Sequence, residues 1–160
     1  YLSSSVFRIG KGKKNMISIT ESMMNLKVSD FQSSPVIVSE YMSVYEAILH
    51  MFKEDVGTLF VGDKEECIQG VLSRKDLLRT SIGSQDLNKI PVHMIMTRMP
   101  NIAYCTNEDS LIKAAKKLIE REIDSLPVVE ETANGPKIVG RLTKTSITRA
   151  FISLAETSEL

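Results

Sequence analysis

Several features that would announce a chemistry are missing from this sequence. Its 160 residues hold two cysteines, Cys67 and Cys105. Neither belongs to a Cys-x-x-Cys, and a pair so far apart implies no disulfide framework, so reduced thiols are expected. The two histidines, His50 and His93, have no neighbouring ligand set at zinc spacing. There is no Gly-x-Ser-x-Gly elbow and no Cys/His arrangement for a nucleophile, so no catalytic residue, no metal and no enzyme is expected. Charge of one sign is not in excess: 20 basic and 20 acidic residues give a net charge of zero. That argues against nucleic-acid binding through a general basic surface, while leaving a local patch open. No apolar run approaches the ~20 residues of a membrane span. Residues 1–14 lack the long apolar core of a signal peptide. A cytoplasmic protein without membrane attachment is expected.

What is present is a globular composition, 42% hydrophobic and 25% charged, in a chain long enough for one ordinary domain or two small modules. It starts at Tyr1 rather than methionine, which suggests an excised piece whose output activity lies in a missing N-terminal part. Val6-Phe7-Arg8-Ile9 reads as a strand. Gly10-Lys11-Gly12-Lys13-Lys14 is a basic turn without the spacing or hydroxyl of a phosphate-binding P-loop. Residues 1–26 are read as a linker or tail from a preceding domain.

From Lys27 a pattern begins that later recurs. Val28-Ser29-Asp30-Phe31 is a helical lead-in, broken by Ser33-Ser34-Pro35 because proline disfavours helix in the residue before it. Val36-Ile37-Val38 is a β-branched strand. Ser43 caps a helix with Val44, Ala47, Ile48, Met51 and Phe52 inward. Strands over 58–61 and 68–72 follow, joined by a turn, and Ser73 opens a helix reaching about residue 82. In the second pass, residues 92–96 form the lead-in, with Met94, Ile95 and Met96 filling core rather than binding a soft metal. Ile102-Ala103-Tyr104 is the short strand. Asn107 or Ser110 caps a helix with Leu111, Ala114, Ala115, Leu118 and Ile119 inward. Residues 126–129 and 138–142 are the paired strands, and Thr143 starts the last helix. The period is about 65–70 residues. Ser43-Val44-Tyr45-Glu46-Ala47 matches Ser110-Leu111-Ile112-Lys113-Ala114, and Gly70-Val71-Leu72-Ser73 matches Gly140-Arg141-Leu142-Thr143. Each copy reads β-α-β-β-α, an α/β (α+β) fold, with the first repeat over 27–83 and the second over 84–160. One copy is too small to bury much surface alone. Two copies packed through their sheets would share a core and make a pseudo-twofold cleft.

The strand-to-helix corner admits two readings. Gly70 permits close approach to the backbone. Ser73 and Asp76, three residues apart at a helix start, form a capping box. The same atoms suit a sugar diol: a helix N-terminus offers free N–H groups, and a carboxylate that would repel a phosphate accepts two hydroxyl donors well.

The ordered set of markers, occurring twice, resembles a tandem pair of CBS domains, a Bateman module, over roughly residues 28–154. The resemblance implies adenosine-containing ligands (AMP, ADP, ATP, S-adenosylmethionine or dinucleotides) and disc-like homodimers. It implies Ser73 and Asp76 as the ribose-binding pair, Val36 with the Ser34-Pro35 backbone as the adenine lining, and Gly57 and Thr58 as the wall. In the second copy Thr143 matches the hydroxyl. Ser146 stands where the family usually has Asp, and brings one hydroxyl and no charge. Asn101, Ile102, Asp124 and Ser125 are that copy's wall candidates. Phosphates need cations or N–H groups, for which Arg74, Lys75, Arg79, Arg98, Arg141, Lys144 and Arg149 are candidates. Arg141 is singled out because it interrupts an apolar strand where Val71 sits in the first copy. With the strand-like residues 6–9 and the Gly-Lys turn ahead of the pair, the chain is also similar to bacterial repressors of the CcpN type. Those carry a winged-helix DNA-binding domain before the pair and respond to adenine nucleotides. The expectation is a regulatory module with an adenine nucleotide as ligand, no resident cofactor, and DNA contacted only through a missing N-terminal domain. The alternative is a ligand-independent dimerisation module of a transcription factor or enzyme.

Overall fold

Ser43 and Ser110 hold equivalent places in the two copies. Each has extended backbone, and each side-chain oxygen accepts the N–H of the residue three on, Glu46 and Lys113 respectively. This satisfies one of the orphan donors at a helix start. The helices so opened are Val44–Glu54 and Leu111–Arg121. A computed structural model of the chain describes residues 21–83 and 85–158. Its four main helices, in chain order, are α1 (Val44–Glu54), α2 (Arg74–Ser81), α3 (Leu111–Arg121) and α4 (Lys144–Ser158). Residues 21–25 are also helical. The expected strand at 6–9 and the Gly-Lys turn lie outside the described residues.

The first sheet runs β1 (Ile37–Ser39), β2 (Thr58–Gly62), β3 (Ile68–Ser73), β4 (Thr97–Arg98), with β1 parallel to β2 and the other pairs antiparallel. The second is the hairpin β5 (Ser125–Thr132) and β6 (Gly135–Thr143). Several expectations need correction. The short strand expected at 102–104 does not form. Cys105 makes only an isolated bridge to Val128, and the pairing moves to Thr97–Arg98, which joins the first sheet. Ile102 is instead drawn into an apolar cluster with Phe60, Ile68, Val129 and Ile138, where the two sheets meet. Both lead-ins are single 3-10 turns, Val28–Asp30 and Val92–Met94. Met94, expected in the core, is 69% exposed, while Met96 is buried. The inward stripes of α1 and α3 are narrower than expected. Phe52 is 88% and Ile119 68% exposed, because the eighth residue after the first buried one lies about 80° round the helix from it.

The lead-ins are exchanged between the copies. Val28 is buried among Leu111, Leu126 and Leu142 of the second copy, while Val92 and Met96 are buried among Val44, Leu59 and Leu72 of the first. Matching backbone bonds fasten them: Val28 N–H donates to Asp109 O (3.0 Å), and Val92 N–H donates to Met42 O (2.7 Å). Burying a valine contributes on the order of 2 kcal/mol, so each copy's core is completed by the other. No helix among the described residues is long and apolar enough to cross a membrane.

Candidate ligand-binding cleft

At the first strand-to-helix corner the capping box forms in full. Asp76 N–H donates to Ser73 Oγ (3.3 Å), and one oxygen of Asp76, Oδ2, accepts from both Ser73 N–H and Ser73 Oγ–H (2.9 Å each). What approaches Gly70 is the side chain of Met96, whose sulfur would collide with any Cβ there. At the second corner Ser146 N–H donates to Thr143 Oγ1 (3.1 Å), and the two hydroxyl oxygens lie 3.0 Å apart. Ser146 is buried. Over Gly140 lies the carboxamide of Gln32. The lead-in residue covering the glycine is therefore apolar at the first corner and polar at the second.

A cleft of about 940 Å³ opens at the second corner, in the size range of small-ligand sites. Residues from both copies line it. Of the residues expected in the two sites it gathers Gly57, Thr58, Asp124, Ser125, Arg141, Thr143 and Ser146. The others lie elsewhere. Ser34 is exposed, and Val36 packs half-buried on the first core. Ser73 and Asp76 are engaged with each other. Asn101 is exposed, its N–H on Arg98 O. Ile102 is buried between the sheets. The lining also includes Asp30, Phe31, Gln32, Asp55, Val56, Thr145 and Ser153, which the sequence reading did not single out. The one available signal was the repeat itself, which sets Gln32 against Met96.

Four of the seven expected cations reach the cleft: Arg74, Arg141, Lys144 and Arg149. Arg141 interrupts its apolar strand to do so. Its Nε donates to Ser33 Oγ (3.2 Å), while its backbone pairs with Ser33 in both directions. Lys144 Nζ pairs with Asp124 Oδ1 at 3.3 Å; both side chains are largely exposed, so the pair adds little stability. Arg98 turns to the carbonyl of His93 instead. Hydroxyls, an amide and guanidinium groups lining one cleft can hold both neutral polar and anionic parts of one ligand. Among the described residues no group of three or more His, Cys, Asp and Glu could hold a metal ion.

Comparison with known proteins agrees with this architecture. The CBS domain model matches residues 28–83 and 92–153. The transcriptional repressor CcpN of Bacillus subtilis (strain 168) is 53% identical over 145 residues, covering 91% of this chain and 68% of the repressor. The crystal structure of CBSX2 in complex with AMP, a protein of Arabidopsis thaliana, is 28% identical with a TM-score of 0.68, over 82% of this chain and 99% of that one. The CBS domain pair of protein MJ0100, in complex with 5′-methylthioadenosine and S-adenosyl-L-methionine, is 25% identical with a TM-score of 0.67, over 78% and 98% respectively. With its two matched repeats, exchanged lead-ins and paired corners, the chain belongs to the CBS domain family as a tandem pair.

Proposed function

We propose that this CBS pair is a cytoplasmic regulatory module, not an enzyme, that binds an adenine nucleotide in the cleft at Thr143 and Ser146. In this reading it controls an attached DNA-binding repressor domain and pairs into a homodimer through its exposed helix faces. The observation that carries the reading is the cleft itself, where two hydroxyls, Gln32 and four cations from both copies converge. Thr143 and Ser146 take the ribose, Gly57, Thr58 and Ser125 form the wall, and Arg74, Arg141, Lys144 and Arg149 take phosphates. The AMP complex of CBSX2, the S-adenosylmethionine complex of MJ0100 and the identity with CcpN support it. The lead-in residues 30–33 are part of the cleft wall, so a ligand that fits one placement of that segment better than another would shift the module between states. A second reading places a ligand at Ser73 and Asp76, with Val36 and the Ser34-Pro35 backbone as its adenine lining. It is favoured by a carboxylate whose capping role uses only one of its two oxygens.

Thermal unfolding with AMP, ADP, ATP, S-adenosylmethionine and a diadenosine polyphosphate separates these readings. A ligand at about 100 times its Kd adds about 2.7 kcal/mol of stability. The expected outcome is a rise with an adenine ligand that persists in Asp76→Ala and disappears in Thr143→Val. The reverse pattern moves the ligand to the first corner. No rise with any of the five leaves the ligand-independent dimerisation module.

A further inference from the structure

The repeat equates Gly57 with Asp124 and Arg74 with Lys144. The same bond occurs in each copy: Arg74 N–H donates to Gly57 O, and Lys144 N–H donates to Asp124 O, both at 3.2 Å. Two pseudo-equivalent cations therefore enter the cleft, but only one of the paired positions carries a side chain. That side chain serves both halves. Asp124 Oδ1 lies 3.3 Å from Lys144 Nζ. Its other oxygen reaches across to within 3.5 Å of where a Cβ on Gly57 would stand, with Arg74 Cζ and Nε 3.8 Å from the same point. One anion thus pairs with Lys144 of its own copy and approaches Gly57 of the other, on the stretch of cleft that Arg74 also lines.

We propose that Asp124 is a built-in counter-anion that sets how strongly the cleft favours phosphorylated ligands. The inference rests on the cleft being the ligand site. A phosphate entering there must take Lys144 from Asp124 and lie near a like charge, so part of the attraction of Arg74 and Lys144 is cancelled before any ligand arrives. The gain in affinity from each added phosphate is correspondingly reduced, while the part of the ligand held at Thr143 and Ser146 is unaffected.

Titration calorimetry without divalent cations tests this, using adenosine, AMP, ADP, ATP and inorganic tripolyphosphate on the wild type, Asp124→Asn and Asp124→Glu. Asp124 is exposed, and ligand-free melting checks that each variant is folded. Asp124→Asn is expected to leave adenosine within about twofold and to tighten ATP and tripolyphosphate on the order of tenfold, with AMP between. Asp124→Glu is expected to keep the wild-type order. An equal change for all five probes, no change, or weaker phosphate binding in Asp124→Asn overturns the proposal. If adenosine and AMP bind but no phosphate-graded effect appears, the counter-anion fails and the adenine reading stands. If tripolyphosphate shows the graded effect while adenosine and AMP do not bind, the adenine reading fails and the counter-anion stands. If nothing binds any of the three proteins, both fall.

Discussion

Cys105 lies where the chain joins β5. Its N–H donates to Pro127 O (3.0 Å), its carbonyl accepts Val129 N–H (2.8 Å), and its thiol lies on Pro127 O at 3.8 Å. Burial, reinforced by the charge of Asp109 and partly offset by Lys117, pushes the thiol from its ordinary 9.0 up to about 12. Reaction with alkylating agents needs the thiolate, so iodoacetamide at about pH 8 should leave Cys105 unmodified in the native protein and label it after urea unfolding. The folded thiol keeps its proton where the unfolded one loses it. Cys105 therefore takes nothing from stability below about pH 9, and stability falls as pH rises from 9 towards 12. Urea unfolding at about pH 8 and pH 10.5 checks this. Cys105→Ala should flatten the alkaline loss, and an unaltered loss in that variant would place its cause elsewhere. The sequence spacing was enough to expect a reduced thiol. The environment was not legible, because the groups that seal Cys105 come from Pro127 and Val129, across a turn and a helix.

Helix ends show where local chemistry suffices and where it does not. Starts were legible because one hydroxyl does the capping: Ser43, Ser73 and Ser110 all accept the expected N–H. The ends of α1 and α3 rest on left-handed residues that are not glycine, Asp55 (φ 50) and Glu122 (φ 52). Aspartate tolerates that region better than longer side chains. Glu122→Gly should therefore add about 0.5–1 kcal/mol and raise the melting temperature by about 1–4 °C. A scanning melt that shows a fall would mean the glutamate side chain does something useful that its backbone conformation hides. Less of the lead-ins was legible, because their place is decided by exchange. Thr97–Arg98 is a strand only because β3 offers an edge to it. Gln32 reaches the second corner only because its lead-in crosses to the other copy. For the same reason the hydroxyls Thr143 and Ser146 and the interrupting Arg141 could be found from the repeat, while residues 30–33 of the same cleft could not.

At the scale of the whole molecule, the outer helix faces are what the fold leaves uncovered. Phe52, Leu78 and Ile82 are 88%, 66% and 87% exposed on and just after α1 and α2. A groove of about 520 Å³ between those helices is lined by Ile48, Met51, Phe52, Leu77 and Leu78, with Asp55, Arg74 and Ser81 at its polar margin. Ile119 and Ile152 are exposed on α3 and α4, the corresponding pair in the second copy. Exposed apolar surface gathered around a groove marks an interaction face, so a homodimer would seat the α1 and α2 pair of one copy of the chain against that of another. Phe52 is the natural anchor, since a large aromatic at the centre of an interface commonly contributes 2 kcal/mol or more. Phe52→Asp should therefore weaken self-association by about thirtyfold or more. The residue touches little in its own subunit, so the melting temperature at high dilution should hardly move. Sedimentation over a concentration series separates the cases. A wild-type dimer that Phe52→Asp dissociates places the interface on α1 and α2. A dimer that both proteins form equally well moves it to α3 and α4, where Ile119→Asp becomes the variant to make. A wild type that stays monomeric at about 100 μM, where even a weak Kd of that order would show, removes self-pairing through either face.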